Sequence, residues 1–170
     1  MEQWAVLDRE GNPTGQIMEK YDKKVFEKGG YHLGSDLWMI NNENKILIQK
    51  RSPLKRLEPN VWAMTGGSVM VGENSLTTII RETKEELGID INSNDLKLIT
   101  KFRVDIDNLW IHAYILKCDY DISEMKFHED EVSEVKWATW EEIDNLVKNG
   151  QFIKNRWNFM GSCLKEEIEK

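Results

Sequence analysis

The sequence predicts an α/β fold: an α/β/α sandwich over a mixed sheet, with an N-terminal β-hairpin extension. Short apolar segments of strand length, separated by turn signals, flank one amphipathic helix in the middle of the chain. Two further helical segments close the chain. Strands that carry one helix on one face and the later helices on the other imply three layers.

In order, 4–7 reads as a short strand and Asp8-Arg9-Glu10-Gly11-Asn12 as the turn after it. A second strand near 16–19 completes a hairpin, and 22–28 is a helical turn or two closed by Gly29-Gly30. Segments 33–40 and 45–50 flank Asn41-Asn42-Glu43-Asn44 as the arms of a second hairpin. The basic, proline-bearing stretch 51–60 is a loop, and 61–64 leads into Gly66-Gly67. A glycine-marked loop then enters the helix, capped at Asn74 or Ser75 and stopped by Gly88. Its expected core stripe is Leu76, Ile79, Ile80, Thr83 and Leu87. Strands follow near 96–104, 110–117 and 134–138, the last after an acidic loop at 119–131. Helices at 140–148 and roughly 154–168 end the chain.

At 170 residues, with no linker or repeat, the chain reads as a single domain over 1–170, residues 1–30 being the hairpin extension. Lys and Arg number 23 against 30 Asp and Glu, a net charge of −7, which argues against a general nucleic-acid binder. An acidic protein still accepts an anionic small molecule where a bound cation reverses the local sign. Cys118 and Cys163 have neither disulfide-framework nor metal-site spacing and read as reduced thiols. No apolar stretch approaches spanning length and the N-terminus lacks a signal pattern, so a cytoplasmic protein with no membrane partner is expected.

The helix carries something a purely structural helix avoids. Glu82, Glu85 and Glu86 stand at i, i+3 and i+4, where like charges destabilise by a few tenths of a kcal/mol each. Arg81 relieves part of this by reaching Glu85. Oxygen donors at this density suit a hard divalent cation.

From Gly67 to Ile89 the spacing is Gly, five residues, Glu73, seven residues, then Arg81-Glu82-x-x-Glu85-Glu86-x-Gly88-Ile89. This stretch, 67–89, resembles the box of the Nudix hydrolases, with one soft departure at Thr83, where an aliphatic residue is usual. The resemblance implies the α/β/α fold and hydrolysis of an organic diphosphate by water attack on phosphorus. It implies Mg²⁺ or Mn²⁺ held by Glu82, Glu85, Glu86 and the Gly67 carbonyl, with Arg81 orienting Glu82. Glu73 braces the loop or reaches a metal through water. The general base is a box glutamate or one of Glu129, Asp130 and Glu131, with Glu131 the first choice.

Outside the box, 11–21, Tyr31-His32, 51–62 and Asp130-Glu131-Val132 ahead of Trp137 resemble the isopentenyl-diphosphate isomerases and the hydrolases that share their N-terminal hairpin. Those relatives imply Lys20, Arg51 and Lys55, with Arg56 beside them, as cations for the diphosphate. The isomerases carry a cysteine before the box glycine and a histidine after it, where this chain has Gly66 and Ser68. Without that partner histidine, His32 is expected to be a hydrogen-bonded structural residue. Trp62 and Trp110 are candidates for stacking on a base.

Three functional classes are therefore in view. The hydrolase acting on a nucleoside diphosphate derivative or another organic diphosphate leads. A double-bond isomerase is disfavoured, and a non-catalytic nucleotide sensor ranks last because no box acid is missing. The sequence leaves the substrate open, and also homodimerisation through the hairpin or the C-terminal helix.

Overall fold

The computed structural model describes residues 1–170. The four helices and seven of the nine strands follow the predicted order, with short 3₁₀ turns between some of them. The first strand, β1 (Gln3–Leu7), pairs antiparallel with β2 (Pro13–Glu19) as a separate two-stranded sheet. Asp8 builds the turn by accepting bonds from the Glu10 and Asn12 amides. Trp4, Val6 and Met18 form a small core with Tyr21, Val25 and Phe26, the last two on α1 (Lys23–Glu27). Backbone bonds between Leu7 and Tyr31 and from Val71 to Gln3 tie this extension to the main body.

The main sheet has seven strands and mixed direction. Its centre is β3 (His32–Ile40), buried along almost its whole length and parallel to β8 (Leu109–Lys117), which pairs antiparallel with β7 (Lys97–Val104). A second wing joins β4 (Ile46–Arg51) to β5 (Trp62–Ala63) on one side and to β9 (Val132–Ala138) on the other.

The expected hairpin at 33–50 exists only at its tip. Asn41 and Asn44 close the turn, but β3 and β4 pair at Ile40–Ile46 alone and then separate. The reason is competition for the β3 edge. After β5 leaves β4, the chain crosses at Met64 and pairs with β3 as β6 (Thr65–Ser68). Gly66 and Gly67 therefore lie in a strand, not in the loop the sequence suggested. A V-shaped gap opens between the wings.

Alternate residues of β3 feed two cores, as the period of a strand requires. Leu37 and Met39 meet Ile79 and Leu87 of α2 (Ser75–Leu87). Trp38 and Ile40 meet Ile143 of α3 (Trp140–Lys148) and Met160 and Leu164 of α4 (Trp157–Glu169). The three layers predicted from sequence are present. The last helix begins at Trp157, three residues later than expected.

Asn74 is the N-cap of α2, in a reciprocal capping box with Thr77. Gly88 ends the helix at φ 70°, and a Cβ there would lie 2.7 Å from the Lys126 carbonyl. Only glycine meets both conditions without strain. The buried stripe differs from expectation: Leu76 and Ile80 are half-buried, whereas Thr78 and Glu86 are buried with Ile79, Thr83 and Leu87. No helix is long and apolar enough to cross a membrane.

Candidate active site

A cleft of about 490 Å³ occupies the V between the wings. Helix α2 presents its acids there in three different environments. Glu85 is mostly exposed, Glu82 is largely covered and Glu86 is buried, because each step around the helix turns further toward the sheet. Gln49 of β4 donates to Glu86 at 2.8 Å. Burial, joined by the Glu82 charge, pushes the Glu86 carboxyl up to about 8, against the opposing pull of Gln49 and Lys55. Glu82 is raised by burial too, with Arg81 opposing.

Arg81 is the hub of the acidic face. Its Nε and Nη2 donate to the two oxygens of Glu73 at 2.7 and 3.1 Å. Its Nη1 donates to Glu82 at 2.8 Å and to Glu85 at 3.0 Å. Thr78 donates to Glu73 as well, so this carboxylate is fully used in fixing Arg81 and the helix entry, and Arg81 holds it well below its ordinary pKa. Glu82 packs directly on the backbone of Gly67, where a Cβ would lie 2.3 Å from its carboxyl carbon.

Several expected substrate cations line the same cleft, each with a protein partner. Lys20 pairs with Glu2 at 2.6 Å and Lys55 pairs with Glu131, all four residues lining the cleft. Arg51 donates to the carbonyls of Glu58 and Leu57, which pins the 51–60 loop. Arg56 departs from expectation: it is absent from the cleft lining, and its guanidinium lies 4.9 Å from the centre of the Tyr21 ring, which does line the cleft. Of the acidic-loop candidates, Glu131 reaches the cleft and Glu129 and Asp130 do not.

Other sequence expectations are corrected. Trp62 is buried beneath Lys136, and Trp110 packs beside Gly11, so neither borders the cleft; Trp4, Tyr21 and Phe26 are the aromatic rings that do. His32 is buried, and its ring meets the Asn108 backbone. It stacks on Trp4 at 4.1 Å with Nδ1 unpartnered, and burial pulls its pKa down to about 4.

Sequence reasoning missed Asp36 and Arg156, an ion pair at 2.9 Å that lines the inner cleft. They lie 120 positions apart, and no local spacing could have announced them.

No three carboxylate or imidazole groups converge on one point, because Arg81 holds Glu82 and Glu85 while Gln49 holds Glu86. The donor chemistry nevertheless fits a hard dication: all donors are oxygens, and a cation would favour the charged form of Glu86 that burial now opposes.

The NUDIX domain family model matches residues 30–159 and begins just after the hairpin extension. The chain is 32% identical over 156 residues to an uncharacterized Nudix hydrolase of Listeria monocytogenes, covering 90% of this chain and 89% of that protein. It is 29% identical over 160 residues to an isopentenyl-diphosphate Delta-isomerase of Citrobacter koseri, covering 89% and 85%. A protein from Deinococcus radiodurans shares its fold, with a TM-score of 0.78 at 19% identity, covering 97% and 98%. The acidic helix at the cleft, the three-layer fold and these matches together place the chain in the Nudix hydrolase family, near the isopentenyl-diphosphate isomerase group.

Proposed function

We propose that the protein hydrolyses an organic diphosphate, most simply a nucleoside diphosphate derivative, with the help of Mg²⁺ or Mn²⁺. One observation carries the reading: a single cleft is lined both by the α2 acids and by Lys20, Arg51 and Lys55. These groups lie within electrostatic reach, since the Lys55 charge favours the ionised form of Glu86 and the Glu82 charge favours the protonated form of Lys20.

Lys20, Arg51 and Lys55 bind the phosphate oxygens in place of part of their present partners. Arg81, locked by Glu73, sets the position of Glu82. A divalent cation held by Glu82, Glu85, Glu86 and the Gly67 carbonyl would neutralise phosphoryl charge and acidify water. Glu131 accepts the proton of the attacking water as the new oxygen–phosphorus bond forms. The bridging oxygen leaves with the electron pair of the broken bond.

The isomerase chemistry fits poorly. A cysteine at position 66 would place its Cβ 2.8 Å from Asp36 Oδ1 and 2.9 Å from the Ser35 carbonyl. The backbone there has been shaped for glycine.

Phosphate release should be measured across nucleoside diphosphates, sugar nucleotides, dinucleotides and prenyl diphosphates, with each metal and with added pyrophosphatase. Turnover of one class that needs the metal and is lost in Glu86→Gln supports the reading. Turnover that survives in both Glu85→Gln and Glu86→Gln refutes it. Tight ligand binding with no turnover anywhere would favour a sensor.

A further inference from the structure

The cleft contains a second polar centre that diphosphate chemistry leaves unused. Asp36 from β3 and Arg156 at the start of α4 meet at 2.9 Å, and both are more than nine-tenths buried while lining the cleft. Two glycines connect this centre to the acidic helix. Neighbouring residues of a strand face opposite ways. A Cβ on Gly67 would strike Glu82, and one on Gly66 would lie 2.8 Å from Asp36 Oδ1. The acidic helix and the Asp36–Arg156 pair thus stand back to back across Gly66-Gly67.

The pair is under-satisfied. Asp36 Oδ2 and Arg156 Nε are sealed from solvent and contact each other without a well-aligned hydrogen bond. Neither side chain has another polar partner in the protein. Burial raises the pKa of Asp36, and Arg156 opposes that rise. Buried charges are costly unless hydrogen bonds surround them. The lining nearby includes apolar side chains, among them Met64, Leu109, Ile111 and Ile153.

We propose that Asp36 and Arg156 form a subsite for the organic group attached to the diphosphate, and that this group presents a hydrogen-bond donor beside an acceptor. A nucleobase edge or a sugar diol has that chemistry; a hydrocarbon chain does not. The guanidinium donates to the ligand's acceptor and the Asp36 carboxylate accepts from its donor. The apolar neighbours cover the faces of the ring. A prenyl chain in the same place would strip water from the pair and return no hydrogen bond. This inference rests on the hydrolase reading for the diphosphate itself.

Two measurements test it on the full-length protein. The first is the ratio of kcat/KM for a nucleoside diphosphate sugar to that for geranyl diphosphate, in wild type, Asp36→Asn and Arg156→Lys. Wild type should favour the sugar nucleotide at least tenfold, and each variant should cut the ratio at least tenfold through KM. An equal loss on both substrates would mean that the pair only braces β3 against α4, and would overturn the proposal. So would a wild-type preference for geranyl diphosphate. Arg156→Lys preserves the charge facing Asp36 and serves if Asp36→Asn does not fold.

The second measurement is calorimetric binding of a nucleoside monophosphate and of a sugar 1-phosphate, which needs no turnover. The compound whose affinity falls at least tenfold in Asp36→Asn identifies base or sugar as the group recognised. If no diphosphate is hydrolysed, the hydrolase reading fails, yet this binding still decides the subsite. Binding of neither compound, or binding unaffected by the variants, overturns it.

Discussion

The carboxyl group of Glu82 occupies the space that a side chain at position 67 would need, its carboxyl carbon 2.3 Å from where a Gly67 Cβ would lie. The clash in Gly67→Ala is with the far end of a flexible side chain, so the fold should yield easily. We expect a cost of about 1 kcal/mol, a Tm change of about 2–4 °C. Activity should fall far more, by about a hundredfold, because Glu82 is forced from its place. Thermal melting and metal-dependent turnover on the same samples separate the two effects.

Glu86 is a stability liability in the metal-free protein. Its folded pKa of about 8 lies above its unfolded value, so the folded state binds the extra proton between pH 4.5 and 8. Stability therefore falls as pH rises through that window. Glu86→Gln should remove this slope and melt higher than wild type at pH 8 in EDTA, with a gain in unfolding free energy of up to about a few kcal/mol. It should also lose about a thousandfold or more in turnover. Added Mg²⁺ should stabilise wild type and leave the variant unchanged.

Lys55 and Glu131 form an ion pair in the lining of the cleft. Lys55→Met should raise KM about tenfold for an anionic substrate and make that KM less sensitive to salt. Glu131→Gln should act mainly on kcat, since its proposed task is proton transfer. If Glu131 only positions Lys55, the double variant will be no worse than Lys55→Met alone, and a double-mutant cycle on kcat and KM distinguishes the cases.

His32 sets part of the acid limit of stability. Burial against Trp4 lowers its folded pKa to about 4, so the unfolded chain binds the extra proton between about pH 6.5 and 4. Stability conferred by the neutral ring is complete above pH 6.5 and is lost as pH falls toward 4, by up to about 3 kcal/mol. His112, also lowered to about 4 by burial with Lys101 adding, contributes in the same direction. In His32→Phe the Tm should fall less between pH 7 and pH 5 than in wild type.

Local signals along the chain determined the helices, most strand cores, the α2 caps at Asn74 and Gly88, and the arrangement of Glu82, Glu85 and Glu86 around one helix. These features depend on neighbours within a few residues, where spacing and capping chemistry are written directly. Tertiary structure alone decided that β3 takes β6 as its partner and parts from β4, which opens the cleft. It decided that Glu86 is buried while Glu85 stays exposed, and that Arg56, Trp62 and Trp110 are excluded from the cleft lining. It also joined Asp36 to Arg156. Strand pairing between separate segments of the chain, and an ion pair between Asp36 and Arg156, depend on which surfaces bury together, and no local period in a sequence encodes that choice.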